Sequence, residues 1–464
     1  MSTASRFSSR AILAVAIAVL AGCAAPARHD ASRSGGAIRI GAVFPAQGMA
    51  GVLAGHELAG VRIAADLVNA DGGIGGRPIE LVARDLESGQ DAPAVMSALA
   101  NEGIGVVVGS YSSDLSIAAS AAADATGLVY WEAGAVADRL TGRGLPMVFR
   151  VGASGSNLGA NSAEFAASEL ASRLGRTPST LRTAIVAAQD DYATSVADAA
   201  QRTAESHGVP IVARETYNLA APDWPTVMAH LAAARPDVVI LASHIPDGIA
   251  FRRAMLGAGL HVGALIGSTM AECDPDFAGE LGPDAVGIFA SDRPTGGFDP
   301  NALTPAARAV YDRFAGAWQT IAASPSASGA DSDGGSYGRP GSEYGDGGSE
   351  YTITGPAEAS SAEATEEALA GFTAGWALFH DVMPTIEDGR LDASQVAEAA
   401  RATDLPAGAL PNGAGLRFST DEATLGQNTR AAAVIWQWQA VRHYEFVWPA
   451  TYATGSIEFV PLSR

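Results

Sequence analysis

The sequence predicts an α/β fold in which parallel sheets are flanked by helices. Short runs of β-branched and other apolar residues alternate along the chain with segments of helical periodicity, and glycine-rich turns separate them. Strands that alternate with helices in this way form parallel sheets covered on both faces. The chain has 464 residues, of which 48% are hydrophobic, and this is enough to supply the cores of two or three domains.

The first series of elements starts with a predicted strand at 38–44, followed by a loop at 45–55 and an amphipathic helix. Apolar residues at 58, 61, 65 and 68 recur at helical spacing along one face of that helix. The glycine-rich segment 71–76 ends it, because glycine accepts a positive φ at little cost. Further strands are predicted at 79–84, 106–108 and 128–130, with a short helix at 92–100.

A second series of the same kind follows residues 149–151 and predicts a second α/β lobe. Its strands are predicted at 184–188, 211–213, 238–241, 265–266 and 287–289, and its helices at 193–207, 224–234 and 251–257. The segment at about 322–361 is dominated by Ser, Gly, Asp, Glu and Pro, and we interpret it as a disordered surface insert. Helical periodicity returns at 364–382 and 393–402, and strands are predicted at 431–438 and 444–448.

The amino terminus has the pattern of a signal peptide, because Arg6 and Arg10 precede an apolar run at 11–20. About 20 apolar residues are needed to span a bilayer, so this run is too short for a lasting membrane helix. The tetrad Leu20-Ala21-Gly22-Cys23 resembles the bacterial lipobox, which implies cleavage after residue 22 and lipidation of Cys23. Residues 23–36 then form a tether. The alternative is an ordinary cleaved signal in which the cysteine has no role.

Composition and motifs argue against several classes of function. The formal net charge of −21 disfavours binding to nucleic acid or to an anionic membrane surface. The chain has no lysine, which excludes a phosphate-binding loop that ends in Gly-Lys, and His56-Glu57 is not followed by the second histidine of a zinc protease motif. Acidic pairs such as Asp190-Asp191 are common on the surface of an acidic protein. We therefore expect no catalytic residue, no cofactor and no metal.

Several segments together resemble the leucine/isoleucine/valine-binding family of periplasmic solute receptors. The segments occur in the order of that family: Asn-Ala-Asp-Gly-Gly-Ile-Gly-Gly-Arg-Pro-Ile-Glu-Leu at 69–81, Arg84-Asp85, Ser88, Val-Gly-Ser-Tyr-Ser-Ser at 108–113, Leu-Thr-Gly-Arg-Gly at 140–144, Phe149-Arg150 and Asp191-Tyr192. The resemblance implies a type I periplasmic-binding-protein fold, with two lobes joined by three hinge crossovers. Lobe 1 would comprise 37–150 and 291–407, and lobe 2 would comprise 151–290 and 408–464.

The resemblance also implies a ligand site in the cleft between the lobes, where loops leave the carboxyl ends of the strands. In lobe 1, Tyr111, Ser112 and Ser113 stand at a helix start, and the family places Ser113 on a ligand carboxylate; the alternative is a helix cap. The predicted loop 131–136 follows the next strand and supplies backbone groups, among them those of Gly134 and Ala135, with Val136 where the family has threonine. Glu132 either pairs with a cationic ligand group or is a solvated loop residue.

In lobe 2, family members pack a tyrosine ring over the ligand at the position of Tyr192, although the alternative is a tyrosine that packs within the lobe. His244 follows the strand at 238–241 and is more consistent with a structural role than with a ligand contact. Thr269 stands where amino-acid binders carry an acidic residue for the α-ammonium group. Together with Val136, this departure weakens the polar contacts that the head group of an α-amino acid requires.

The resemblance implies a lipid-anchored receptor on the outer face of the cytoplasmic membrane. It would bind an amino acid, an amide or a related small molecule as a monomer and deliver it to the permease of an ABC-type importer. The alternative is a sensor subunit that presents its closed form to a membrane signalling partner.

Overall fold

The computed structural model describes residues 36–268, 275–322, 363–386 and 391–462. The predicted signal peptide, Cys23, Thr269 and nearly all of the predicted insert lie outside the described residues.

The first sheet has five parallel strands in the order β2-β1-β3-β4-β5. Its strands are β1 (Ile38–Phe44), β2 (Ile79–Asp85), β3 (Val106–Gly109), β4 (Val129–Glu132) and β5 (Val148–Arg150). The helices that connect them are α1 (Gly48–Ala70), α2 (Ala92–Asn101) and α3 (Ser113–Ala125). Every residue of β3, β4 and β5 is buried, as expected for strands covered on both faces.

The second sheet has seven strands in the order β14-β13-β10-β9-β8-β6-β7. Its strands are β6 (Thr183–Ala188), β7 (Ile211–Tyr217), β8 (Val238–Ala242), β9 (Ala264–Ser268), β10 (Phe289–Asp292), β13 (Val434–Ala440) and β14 (His443–Trp448). The strands β6 to β10 are parallel, whereas β13 runs antiparallel to both β10 and β14.

Helices α4 to α9 accompany this second sheet. They are α4 (Gly155–Phe165), which continues through a π-helical segment (Ala166–Leu170) into α5 (Ala171–Arg173), then α6 (Asp191–Ser206), α7 (Trp224–Ala234), α8 (Ile245–Gly257) and α9 (Pro275–Leu281). Asp190 and Asp223 start α6 and α7 as caps, because each side chain accepts a hydrogen bond from a backbone N–H of the first turn.

After β10 the chain returns to the first sheet and adds α10 (Pro305–Ala322), α11 (Glu366–Trp376) and α12 (Ala393–Ala402). A π-helical segment (Ala377–Val382) extends α11. Helix α11 packs directly on α1, where a Cβ on Gly371 would lie 2.0 Å from the Glu57 backbone oxygen. A small hairpin of β11 (Asp404–Leu405) and β12 (Leu416–Arg417) follows. Short 3₁₀ turns lie at Asp138–Leu140, Pro178–Thr180, Gly282–Ala285, Pro300–Ala302, Met383–Thr385 and Glu422–Thr424.

The chain passes between the two sheets three times: after β5, after β10 and before β13. Hydrogen bonds tie two of these passages together, because the Asn428 Nδ2 amide donates to the Val151 oxygen at 2.9 Å and the Gln427 Nε2 amide donates to the Gly152 oxygen at 3.1 Å. This connectivity confirms the predicted α/β class, with parallel sheets flanked by helices and three crossovers.

Several predicted boundaries are wrong. Helix α8 begins at Ile245 and not at 251, strand β7 extends to Tyr217 and not only to 213, and strand β10 spans Phe289–Asp292 and not 287–289. Helix α1 begins at Gly48, within the segment 45–55 predicted as a loop, because packing on the sheet outweighs the low helix propensity of its glycines. Strand β4 extends through Trp131 and Glu132, which were predicted to lie in the following loop. In the described ranges, no helix combines the length and the hydropathy that a bilayer crossing requires.

Candidate functional site

Loops at the carboxyl ends of the strands of both sheets contact one another. The Arg139 guanidinium donates to Asp191 at 3.0 Å, and the Asp138 N–H donates to the Ser195 hydroxyl at 3.0 Å. Arg139 and Asp138 follow β4, whereas Asp191 and Ser195 belong to α6, which follows β6. The carboxyl edges of the two sheets therefore face each other, and this is the place where open α/β sheets bind ligands.

The start of α3 forms one side of this region. Ser112 caps the helix and accepts from the Leu115 N–H at 3.5 Å. The Ser113 hydroxyl accepts from the Ala137 N–H at 3.1 Å, so it joins the helix start to the loop after β4. Tyr111 precedes both residues with a φ of 79° and is buried. Both the cap and the ligand interpretation of this segment are compatible with these contacts.

Glu132 is fully buried at the end of β4 and shapes the loop that follows it. Its Oε1 accepts hydrogen bonds from three consecutive backbone N–H groups, those of Ala133 at 3.1 Å, Gly134 at 2.9 Å and Ala135 at 2.9 Å. Burial raises the pKa of Glu132, and these N–H groups together with Ser116 and Arg150 oppose the rise. The interpretation of Glu132 as a solvated loop residue is therefore wrong.

Two buried arginines hold the same loop through its carbonyl groups. Arg293, just after β10, donates from Nη1 to the Gly134 oxygen, and Arg150, at the end of β5, donates to the Ala135 oxygen at 3.2 Å. The Val136 oxygen accepts from the Gly155 N–H at 2.6 Å. Burial lowers the pKa of Arg150 to about 10. The loop 133–137, which we call the β4 loop, is thus fixed by groups from both lobes.

Tyr192 lies in the second lobe at the start of α6, with its side chain buried. Its hydroxyl is within hydrogen-bond distance of the Ser243 oxygen at 3.0 Å and of the Ser268 oxygen. The ring meets His244 edge to face, with the ring centroids 5.2 Å apart. The hydroxyl therefore ties together the ends of β8 and β9, as in the interpretation of a tyrosine that packs within the lobe.

His244 caps α8, and its N–H donates to Asp247 at 3.1 Å. Its Nε2 lies 3.6 Å from Oδ2 of Asp190. Asp190 Oδ1 accepts from the Ala193 N–H at 2.7 Å, whereas its buried Oδ2 has no hydrogen-bond partner within the described ranges. Burial raises the pKa of Asp190, His244 opposes the rise, and Asp114 of α3 adds to it. The next residue, Asp191, accepts from Arg139 of the first lobe at 3.0 Å, so Asp190 stands beside the first lobe.

The structure thus brings together two groups of predicted residues and adds others. The first lobe contributes Tyr111, Ser112, Ser113, Glu132, Gly134, Ala135 and Val136, and the second contributes Tyr192 and His244. Asp190 and Ser243 were not predicted as ligand residues. Ser243 directly follows β8 and Asp190 stands two residues after β6, and these positions were a usable signal. Arg293 and Glu57 join the region from distant segments, with no local signal in the sequence.

Other parts of the described structure offer no comparable arrangement. A cavity of about 190 Å³ lies at the amino ends of β1 and β3, beside Arg39 and Arg77, at the opposite edge of the first sheet. Within the described ranges, no group of three or more His, Cys, Asp or Glu side chains is placed to hold a metal ion.

Comparison with known proteins gives consistent matches. Residues 37–332 match the family model described as periplasmic binding protein. "Leu/Ile/Val-binding protein homolog 8" from Brucella abortus (strain 2308) is 30% identical over 257 residues, which are 55% of this chain and 64% of that protein. "Leu/Ile/Val-binding protein homolog 7" from Brucella melitensis is 29% identical over 276 residues, which are 59% of this chain and 67% of that protein. The chain thus spans slightly less than two thirds of the first relative.

Solved structures share the fold at low sequence identity. The branched-chain amino acid transporter substrate-binding protein LivJ from Streptococcus pneumoniae, in complex with isoleucine, has a TM-score of 0.64 and 18% identity, covering 89% of this chain and 100% of that one. A solute-binding protein from R. palustris, in complex with benzoate, has a TM-score of 0.62 and 16% identity, and the match covers 90% of this chain and 98% of that one. Identities this low indicate a common fold and leave the ligand open.

Proposed function

This chain belongs to the periplasmic binding protein family, and from that premise we propose that it is an extracytoplasmic solute-binding protein without catalytic activity. It takes up a small polar solute, such as an amino acid, an amide or a related compound, between its two lobes. The family membership agrees with the resemblance found in the sequence.

One observation carries the proposal: at the carboxyl edge of the second sheet, two buried polar atoms have no hydrogen-bond partner among the described residues. These atoms are Asp190 Oδ2 and Ser243 Oγ, both of the second lobe. A buried polar atom that lacks a partner costs about 1–3 kcal/mol. A polar solute that donates to these oxygens would recover part of that free energy, so this edge favours a ligand with hydrogen-bond donors.

The wider assignment follows the same reasoning. Lobe 1 comprises 37–150 and 291–407, and lobe 2 comprises 151–290 and 408–464, so that closure is a hinge motion across the three passages. The partner is the permease of an ABC-type importer, since several solved proteins of this fold are ABC transporter substrate-binding proteins. The protein is a monomer, anchored through lipid on Cys23 at the outer face of the cytoplasmic membrane.

The solute class is tested by thermal shift of the purified protein against amino acids, amides, urea, polyamines and aromatic carboxylates. A solute present at 100 times its Kd stabilises the folded state by about 2.7 kcal/mol. Calorimetry then gives the affinity, and mass spectrometry of the released solute shows whether it is unchanged. A solute released in a chemically altered form, or a panel without any stabilising member, would contradict the proposal.

A matched pair of substitutions locates the site. Asp190→Asn keeps a good helix cap for α6 but replaces a carboxylate oxygen beside the first lobe, and we expect it to weaken binding of the identified solute at least about tenfold. Asp223→Asn makes the same change at the cap of α7 on the exposed surface and should leave the affinity unchanged. Equal effects of the two variants would place the ligand elsewhere.

A further inference from the structure

A group of buried charged side chains lies directly behind the β4 loop. Five carboxyl groups and two guanidinium groups are buried there: Glu57, Glu132, Asp292, Glu366, Glu367, Arg150 and Arg293. If all were ionised, the group would carry three uncompensated negative charges away from water. Burying a charge without a partner is costly enough that a carboxyl group becomes neutral instead.

Arg293 is the central cation of this group. Its Nη2 donates to Glu366 Oε2 at 2.8 Å, its Nε lies 2.5 Å from Glu366 Oε1, and its Nη1 donates to the Gly134 oxygen in the β4 loop. Arg293 follows β10 of the second sheet, whereas Glu366 stands on α11 and Gly134 follows β4 of the first. One guanidinium therefore links a hinge passage, a helix of the first lobe and the β4 loop.

Glu57 is the carboxyl group with the poorest set of partners. It is 0% exposed on α1, and neither of its carboxyl oxygens has a hydrogen-bond partner in the described structure. A Cβ on Gly134 would lie 1.9 Å from Glu57 Oε2, so the carboxyl group rests against the backbone of the β4 loop. The other four carboxyl groups of the cluster pair with Arg293 or accept from backbone N–H groups.

The charges that face Glu57 favour its neutral form. Burial is the largest cause that raises the pKa of Glu57, Glu132 of β4 and Glu367 of α11 add to it, and Arg293 opposes it. The neighbouring titratable group on α1 is His56, whose ring packs on Trp318 of α10 and whose pKa is lowered by burial.

We propose that Glu57 acts as a neutral acid that positions the β4 loop by direct contact with Gly134. Ionisation of Glu57 would draw Arg293 away from Glu366 and the Gly134 oxygen, because a new carboxylate competes for the same guanidinium. The β4 loop would then loosen. A contact between the β4 loop and a solute rests on the proposed function. The effect of Glu57 on the β4 loop does not rest on it.

The sign of the pH dependence follows from linkage. A carboxyl group whose pKa is raised in the folded state keeps its proton there while the unfolded chain releases it. The folded state then binds more protons, and its stability falls as the pH rises above the ordinary value of 4.5 towards the raised value. Each unit by which the pKa is raised corresponds to about a tenfold change in the unfolding equilibrium constant.

The test compares Glu57→Gln, which mimics the neutral acid, with Glu164→Gln on the exposed face of α4 as matched control. Urea unfolding from pH 5 to 9 should show a Glu57→Gln protein close to wild type at pH 5 and with an unfolding constant at least about tenfold lower at pH 8. The control should follow wild type throughout. Hydrogen exchange of the peptide that covers 131–137, normalised to its unfolded rates, should be slower in Glu57→Gln than in wild type at the pH where the stability difference between the two has levelled off, because Glu57 is ionised in folded wild type there.

Each of three outcomes would overturn the proposal. If the free energy of unfolding has the same pH dependence in Glu57→Gln and in wild type, Glu57 is ionised in the folded protein. A stability shift without any change in exchange at 131–137 would make Glu57 a buried proton site that does not position the loop. Loss of folding at pH 8 in both Glu57→Gln and Glu57→Met would show that a carboxylate is required. None of these measurements depends on solute binding, so they stand apart from the proposed function.

Discussion

Tyr192 illustrates how a residue at the expected place in a ligand site can serve the fold at the same time. Its ring lies at the facing edge of the second lobe, while its hydroxyl reaches two backbone oxygens at the ends of β8 and β9. The hydroxyl is thereby occupied inside the lobe, and the ring is the part that remains suited to packing on a solute. The two roles belong to different atoms and can be separated by substitution.

Tyr192→Phe removes the hydroxyl and keeps the ring. We expect it to lower the free energy of unfolding by about 1–3 kcal/mol, because the Ser243 and Ser268 oxygens lose a buried donor. Solute affinity should change by less than in Tyr192→Ala, which removes the ring as well. Urea unfolding and calorimetry on both variants check this. A Phe variant as stable as wild type would mean that the hydroxyl bonds contribute nothing to the lobe.

The limits of prediction at the residue scale follow from distance along the chain. Positions such as Ser113, Tyr192 and His244 were predictable, because each follows a recognisable strand and precedes a helix. The contacts that these residues make could not be predicted from the sequence. Arg293, for example, bonds to Glu366 and to the Gly134 oxygen, and those three residues come from segments with no shared local pattern.

At the scale of elements, α1 and α11 show the clearest packing constraint. Gly60 and Gly371 let the two helices approach closely, since a Cβ on Gly60 would lie 2.1 Å from the Ala368 backbone oxygen. The predicted helix at 393–402 matches α12, because a capping Asp392 and a regular apolar face mark it locally. The early start of α1 was missed, since glycines within a helix resemble a loop until the helix has a surface to pack on.

Gly371→Ala tests this packing. The added methyl group would lie 2.0 Å from the backbone oxygen of Glu57, so the helices must separate. We expect the free energy of unfolding to fall by about 1–3 kcal/mol. Gly316→Ala is the matched control, because Gly316 lies within α10 with nothing within 4 Å of an added Cβ. That variant should gain about 0.5–1 kcal/mol. Thermal or urea unfolding measures both, and equal effects would contradict a close contact.

For the whole molecule, the sequence predicted two series of α/β elements and hence two sheets. It did not by itself predict that the chain after β10 returns to the first sheet, since helices α10 to α12 carry no local mark of the sheet they cover. The resemblance to a known family supplied that connectivity. The hydrogen bonds that fix the passages between the sheets also escape sequence patterns, because they join segments such as 150–152 and 427–428.

Asn428 joins these passages through its side chain. Its Nδ2 amide donates to the Val151 and Gly415 oxygens at 2.9 Å each, and its Oδ1 accepts from the Arg417 and Arg430 N–H groups at 3.0 Å each. The side chain is buried. All four hydrogen bonds that an asparagine side chain can make are therefore formed, and they connect two of the three passages with the β11–β12 hairpin.

Asn428→Asp replaces two donors by acceptors at this point. Two backbone oxygens then face a buried carboxylate, and we expect the free energy of unfolding to fall by more than about 2 kcal/mol at pH 7. The loss should shrink as the pH falls and the aspartate takes up a proton, which restores one donor. Asn218→Asp is the control, since Asn218 is exposed and an aspartate keeps its acceptor role towards the Ala220 N–H. Unfolding that is equally sensitive to both changes, or insensitive to Asn428→Asp, would mean that the passages are held by other contacts.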